Sequence, residues 1–154
     1  MAVRNIITLG DDTLRKKSRK IEKFDARTLT LLDDLADTHH STEDGVGLAA
    51  VQVGVLRRAV VIDVGEGVVT LVNPVITFSE GEQEVVEGCL SVPGRTGRLL
   101  RPAKVTVSAL DHDGKPFEIT GEGLLAKCLC HEIDHLDGIL FIDKLIDKQP
   151  QADA

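Results

Sequence analysis

A His-Glu-x-x-His pattern near the C-terminus constrains this chain more than any other feature of its sequence. The pattern lies in residues 130–138, CHEIDHLDG. Residues four apart lie on one face of an α-helix, about 6 Å apart along the axis, so His131 and His135 could bind one metal ion. Glu132 borders that face and could move protons without being a ligand. The alternative is a charged helix face in solvent, but the apolar residues at 124–129 favour a buried helix.

Three cysteines are candidates for a third metal ligand. Cys130 points about 100° away from His131, so we expect it to be a small core residue. Cys128 shares the histidine face but lies roughly 10 Å from His135 along the axis, so we expect it to line a pocket beside the metal. Cys89 lies in a segment that reads as a loop, and its spacing does not exclude it. A thiolate from another element would leave the fourth position open, as in catalytic sites.

Size and composition exclude several classes of protein. The 154 residues, 42% of them hydrophobic, predict one domain, residues 1–154, with a short non-basic tail from about 144 to 154. A net charge of -7 and 3% aromatic residues argue against direct nucleic-acid binding. The absence of an 18-residue apolar run predicts no membrane span, and the absence of an apolar signal core predicts a cytoplasmic protein. The oligomeric state stays open.

The order of the predicted elements favours an α+β fold. Residues 25–42 predict a first helix capped by Asp25, residues 11–20 a short helix, and residues 121–136 a second long helix that stops near Gly138. Mostly antiparallel sheets should pack around this second helix, which carries the His-Glu-x-x-His pattern. The intervening strands are expected at 59–64, 68–72, 75–78, 83–86, 104–110 and 117–120, with turns at 73–74 and 113–114.

Two further segments are weak signals when each is taken alone. Residues 45–52 read GVGLAAVQ, in which small residues allow close packing or a turn. This segment is not a dinucleotide-binding motif, because it lacks the preceding strand and the third glycine. Residues 87–93 read EGCLSVP and surround the candidate ligand Cys89. The arginines at 95, 98 and 101 that follow are expected either to meet a substrate or to lie in an exposed loop.

The three segments in this order resemble the peptide deformylase family. That family is marked by G-x-G-x-A-A-x-Q, then E-G-C-L-S, then H-E-x-x-H, and the likeness extends from about residue 8 to residue 145. The resemblance implies that Cys89, His131 and His135 bind a metal ion. It also implies that Glu132 takes a proton from water and later passes it to the leaving amine.

The resemblance also implies how a substrate is held. The side-chain amide of Gln52 and the backbone N–H of Leu90 would donate to the developing oxyanion. The backbone of residues 45–47 would pair with an extended substrate like an added strand. The substrate-binding residues implied in this way are Val46, Gly47, Gly88, Lys127 and Cys128.

The substrate and cofactor are likewise implied by the resemblance. The family removes the N-formyl group from the initiator methionine of new polypeptides and releases formate. One Fe²⁺ per chain is expected, with Zn²⁺, Ni²⁺ or Co²⁺ able to substitute.

This chain departs from the family pattern in three places. Cys130 stands where the family usually has Gln, and the tail is not basic, so ribosome association is expected to be weak. Lys127 lies one turn before His131, so we expect its stem to pack beside the methionine pocket while the amine reaches water. A second hypothesis is that this amine favours acidic residues further along the substrate.

Two other readings compete with this one. A peptidase that cuts internal bonds would need a third ligand downstream of the helix, but no His or Glu follows Gly138. A non-catalytic metal protein with the same fold is the other reading. Loss of Glu132, Gln52 or a ligand would indicate such a protein, and none is lost.

Overall fold

The computed structural model describes residues 2–42 and 45–146, and within them it confirms an α+β fold with antiparallel sheets. Helix α1 spans Ala26–His40 and helix α2 spans Leu124–Leu136. The strands are β1 Gly47–Ala49, β2 Ala59–Ile62, β3 Val69–Glu80, β4 Gln83–Cys89, β5 Val92–Arg101, β6 Lys104–Leu110 and β7 Pro116–Glu122. None of the helices described is long and apolar enough to cross a membrane.

The larger sheet has five strands in the order β1-β2-β3-β6-β7, so β1 lies at an edge. Strand β2 reads Ala-Val-Val-Ile without polar alternation because both of its faces are covered. Val60 and Ile62 pack with the core against α2, whereas Ala59 and Val61 pack with the core against α1. Successive side chains of a strand point to opposite faces, which explains this division. The two helices therefore lie on opposite faces of the sheet.

Helix α1 begins where the sequence predicted it. The carboxylate of Asp25 accepts a hydrogen bond from the backbone N–H of Thr28 at 3.0 Å, which satisfies one of the free donors of the first turn. Leu32 and Leu35 are buried against the sheet as the helical spacing predicted. The short helix expected at 11–20 is only a turn of 3₁₀ helix, Asp12–Arg15, which Asp11 caps.

Strand β3 contradicts the turn predicted at residues 73–74. The strand continues through Asn73 and Pro74, with Val72 opposite Leu110 and Val75 opposite Ser108 on β6. The irregular pairing is a bulge in which Asn73 has a φ of 52°, a conformation that Asn tolerates better than most residues. The Asn73 side chain also bonds both the N–H and the C=O of Ile21. These residues therefore bend the strand without reversing the chain.

The prediction of loops after residue 86 was also wrong. Cys89 is the last residue of β4, and residues 92–101 form β5, a strand that sequence reasoning missed. Strands β4 and β5 form a separate two-stranded sheet. Pro and two Gly in residues 93–97 hide the strand from pattern analysis, because both residue types are depleted in strands. The arginines at 95, 98 and 101 consequently lie on a strand and not in a loop.

Helix α2 starts three residues later than predicted. Residues 121 and 122 complete β7, and Gly123 forms the turn into the helix with a φ of 56°. At the other end Asp137 caps the helix and Gly138 follows with a φ of 76°, which confirms the predicted stop. Residues 147–154 of the predicted tail lie outside the described residues.

Gly138→Ala should lower the free energy of unfolding by clearly more than the strain of an alanine at positive φ alone. A Cβ at Gly138 would collide with the backbone carbonyl of Arg15, so the chain would have to shift there. Gly54→Ala is the matched control, because Gly54 has a φ of 82° and no atom within 4 Å of its added Cβ. We expect about 1–2 kcal/mol for Gly54→Ala and a clearly larger loss for Gly138→Ala, measured by urea unfolding. Equal losses would show that the contact with Arg15 has no effect.

Candidate metal centre and active site

The structure brings the three predicted metal ligands together. Cys89 at the end of β4 meets His131 and His135 of α2, and their ligand atoms all lie within 4.8 Å of one another. The Cys89 Sγ and His135 Nε2 atoms are 3.3 Å apart. Cys130 packs instead in the core between α2 and the sheet, as the helix geometry predicted. The third member of the group thus lies upstream of α2, which disfavours the internal-bond peptidase.

Glu132 lies beside this group in a nearly closed environment. The residue is only 3% exposed, and its Oε2 atom is 4.0 Å from His131 Nε2. The other carboxylate oxygen is buried without a hydrogen-bond partner among the described residues. Burial raises the pKa of Glu132 to about 7, against the opposing effect of His131. A Cβ on Gly47 would lie 2.8 Å from Glu132 Oε2, so only glycine leaves room for the carboxylate there.

Gln52 is oriented by its own hydrogen bonds. Its Oε1 atom accepts from the backbone N–H of Ala49 at 2.9 Å. This bond directs the amide nitrogen towards β4, where Nε2 donates to Ser91 Oγ at 3.1 Å and lies 3.6 Å from Cys89 Sγ. Gln52 therefore presents an N–H donor directly beside the predicted metal ligand. Ser91, which sequence reasoning did not assign, fixes that donor.

Sequence reasoning missed the most strongly bonded residues of the site, Glu87 and Arg101. Glu87 Oε1 is 2.7 Å from His131 Nδ1, and both of its oxygens accept from Arg101 at 2.8 Å. Arg101 also donates to Asp134 at 2.7 Å. Glu87 faces the same side of β4 as Cys89, two residues on, and this period of two was the available signal.

These contacts set the charge states around His131. Burial raises the pKa of Glu87, but the hydrogen bonds from Arg101 and His131 overcome that effect and hold it at about 2. Burial lowers the pKa of His131, yet hydrogen bonds to Cys89 and Glu87 raise it to about 10. The pKa of His135 falls to about 3 through burial and the nearby charge of His131. Because Glu87 occupies Nδ1 of His131, its Nε2 atom is the nitrogen left for a metal ion.

A cavity of about 460 Å³ opens over the group. It is lined by Cys89, His131, Glu132, Gln52 and Leu90, and also by every residue predicted to bind substrate: Val46, Gly47, Gly88, Lys127 and Cys128. The Nζ atom of Lys127 donates to the carbonyl of Val86 at 2.8 Å, so this amine is held near the rim. Burial raises the pKa of Cys128 to about 12, so its thiol is neutral and contributes apolar surface.

The three arginines of β5 have separate environments. Arg101 is buried with Glu87 and Asp134, so it does not meet a substrate. Arg98 forms an exposed ion pair with Glu84. Arg95 lines the cavity, and the earlier suggestion of a substrate contact therefore applies to this arginine alone.

Comparison with known proteins identifies the family. A model of the polypeptide deformylase family matches residues 3–151. The chain belongs to the polypeptide deformylase family. Such enzymes are metal-dependent hydrolases that act on formylated nascent polypeptides. The peptide deformylase of Thermoanaerobacter pseudethanolicus is 57% identical to this deformylase over 146 residues, covering 95% of this chain and 91% of the relative.

The solved structures of other peptide deformylases resemble the structure of this deformylase along most of its length. A peptide deformylase from Legionella pneumophila has a TM-score of 0.89 and 53% identity, covering 93% of this chain and 86% of the other. One from Ehrlichia chaffeensis, in complex with actinonin, has a TM-score of 0.91 and 40% identity over 96% and 91% of the two chains.

Arg101→Met should destabilise this deformylase strongly, by about 3–5 kcal/mol, because the buried charge of Glu87 loses both hydrogen bonds from Arg101 and keeps only His131 as a partner in the described part of the chain. Arg98→Met is a matched control, since Arg98 lies on the same strand and also pairs with a glutamate of β4, but in solvent. We expect Arg98→Met to cost at most about 1 kcal/mol. Urea unfolding of both variants measures the difference. Similar losses would contradict the role given to the buried pair.

Proposed function

We propose that this chain removes the formyl group from the N-terminal formyl-methionine of newly made polypeptides in the cytoplasm and releases formate. One observation carries the proposal: a single cavity is lined by Cys89, His131, the carboxylate of Glu132 and the amide of Gln52, and the ligand atoms of Cys89, His131 and His135 lie within 4.8 Å of one another. We also propose that residues 1–154 form one catalytic domain, because both sheets and α2 contribute to this cavity. Weak ribosome association stays a prediction.

The three donors suit one divalent transition-metal ion. One thiolate and two imidazoles form a donor set that such ions accept. The hydrogen bond between Glu87 and His131 Nδ1, at 2.7 Å, orients the ring and leaves Nε2 for the ion. We propose Fe²⁺ as the physiological ion, with Zn²⁺, Ni²⁺ or Co²⁺ as substitutes. A bound cation would supply Lewis-acid polarisation of the formyl oxygen and lower the pKa of a water molecule.

Glu132 is assigned the proton transfers. Its carboxylate is buried beside the three-ligand group, with Oε2 4.0 Å from His131 Nε2, where it can accept a proton from a water molecule and return it later. In the net reaction water adds hydroxyl to the formyl carbon, the C–N bond breaks, and the nitrogen receives the proton that Glu132 took. The products are formate and a free amino terminus. The glycine at position 47 leaves the space in which this carboxylate sits.

Gln52 and Leu90 are assigned to the formyl oxygen. That oxygen gains negative charge as the carbon becomes tetrahedral, and fixed N–H donors stabilise it. The Gln52 amide is held in advance by Ala49 and Ser91, so it need not reorganise during the reaction. Leu90 adds a backbone N–H directly after Cys89.

The edge of the larger sheet is assigned to the substrate backbone. The carbonyl of Val46 accepts from the N–H of Asp63 on the β2 side at 2.8 Å. Because the backbone groups of successive strand residues alternate in direction, those of Gly47 point away from β2. An extended peptide could pair there, with Gly88 on its other side. The neutral thiol of Cys128 and the stem of Lys127 would contact the methionine side chain.

Glu132→Gln should abolish most formate release while leaving the metal in place. The amide keeps the shape of the carboxylate but cannot take a proton, and such groups typically contribute about 10²–10⁴-fold to the rate. Formate release from a formyl-Met peptide by the anaerobically prepared Fe²⁺ protein is the measurement. Glu84→Gln, an exposed glutamate of β4, is the control and should retain the full rate. A fully active Glu132→Gln enzyme would refute the assignment.

Metal content tests the ligand set separately. Cys89→Ala should reduce bound metal from about one per chain to well below half at micromolar free Fe²⁺, because one of three protein ligands is lost. Cys128→Ala is the matched control: Cys128 lines the same cavity but lies outside the three-residue group. Elemental analysis after gel filtration gives both values. Equal metal content in the two variants would exclude Cys89 as a ligand.

A further inference from the structure

His39 makes a buried hydrogen bond to the segment that leads into β1. It lies in the last turn of α1, is 6% exposed, and its Nε2 atom is 2.8 Å from the carbonyl oxygen of Gly45. A carbonyl only accepts hydrogen bonds, so Nε2 must carry the hydrogen and donate it. The helix is thereby tied to a residue that lines the active-site cavity.

Gly45 is tightly enclosed at this point. A Cβ on it would lie 2.9 Å from the side chain of Leu90 and 3.0 Å from the hydroxyl of Thr42. That hydroxyl donates to the carbonyl of His39 at 2.7 Å. The backbone of Gly45 is therefore packed between the end of α1 and Leu90, the residue whose N–H is assigned to the formyl oxygen.

The next residue is anchored from another direction. The carbonyl of Val46 accepts from the N–H of Asp63. His39 and Asp63 thus hold the carbonyls of Gly45 and Val46, just before Gly47, whose backbone groups point away from β2. The positions of the β1 edge and of Leu90, both of which line the cavity, are coupled through Gly45.

We infer that His39 is a positioning residue for substrate binding. By holding the carbonyl of Gly45 it fixes the β1 edge against Leu90, and so sets the width of the cleft that receives the substrate backbone. It acts through Gly45 and does not touch the reacting atoms. The inference rests on the proposed function, because the ligand of that cleft is taken to be an extended formylated peptide.

Three substitutions distinguish the effect of the His39 hydrogen bond from the effect of its side-chain packing. His39→Leu fills the space without a donor, whereas His39→Gln retains an N–H that can reach the same carbonyl. His40→Leu is the control, since His40 is the exposed neighbour on the same helix turn. Should His39→Leu fail to fold, His39→Met provides a second side chain without a donor.

We expect His39→Leu to raise KM for a formyl-Met tripeptide about tenfold, the effect of losing one buried hydrogen bond that holds the binding edge. The kcat should change less than about twofold, because pairing with the substrate backbone is uniform binding. His39→Gln should restore KM to within about threefold of the wild type, and His40→Leu should match the wild type. If His39→Leu only destabilised the fold, a smaller fraction of the enzyme would be active. The apparent kcat would then fall while KM stayed unchanged.

An unchanged KM in His39→Leu overturns the inference, and so does a His39→Gln enzyme as impaired as His39→Leu. If the wild type releases no formate, the proposed function fails on its own. Binding of a fluorescently labelled formyl-Met tripeptide, followed by anisotropy, then tests His39 independently. Equal affinities of the wild type and His39→Leu in that measurement would also overturn the inference.

Discussion

The buried ion pair between Arg101 and Glu87 organises the site. Arg101 is 3% exposed and Glu87 is 2% exposed, so the cost of removing both charges from water must be offset by nearly complete hydrogen bonding. The structure meets that requirement: the guanidinium binds both oxygens of Glu87 and also Asp134 of α2. One side chain of β5 therefore joins the small sheet to the helix that carries both histidines.

The same pair decides which nitrogen of His131 faces the proposed metal position. Glu87 binds Nδ1, and the ring is further packed against Phe141 at a centroid distance of 6.3 Å. Orientation of a ligand histidine by a carboxylate is a general device for raising metal affinity. Here Arg101 in turn orients the carboxylate of Glu87. The geometry of the Cys89, His131 and His135 group therefore depends on residues outside that group.

The sequence predicted the parts of the site that follow from helix geometry. His131, His135 and Glu132 share one helix, and the spacing of four residues alone places the histidines together. Cys89 was predicted only through a resemblance, because no periodicity links β4 to α2. The Glu87–Arg101 pair was missed because Arg101 lies on β5, whose Pro and Gly residues conceal a strand.

The turn predicted at Asn73 illustrates a second limit of pattern analysis. Asn-Pro is a common turn sequence, yet the preference is local and here the pairing of β3 with β6 on both sides of the pair outweighs it. Tertiary contacts of the Asn73 side chain with Ile21 then stabilise the unusual φ. Such contacts between distant segments leave no periodic signal in the chain.

The edge position of β1 also bears on the solubility of the protein. A free strand edge that accepts a peptide backbone can equally accept the edge of another molecule, which is a common route to aggregation. In this protein β1 is only three residues long, and all three are buried. An edge this short and recessed can pair with a single flexible chain end that enters the cavity. It has too few backbone groups to pair with the long edge strand of a folded neighbour. Dimensions that would admit an unfolded polypeptide terminus thus also limit pairing of the β1 edge with a second molecule.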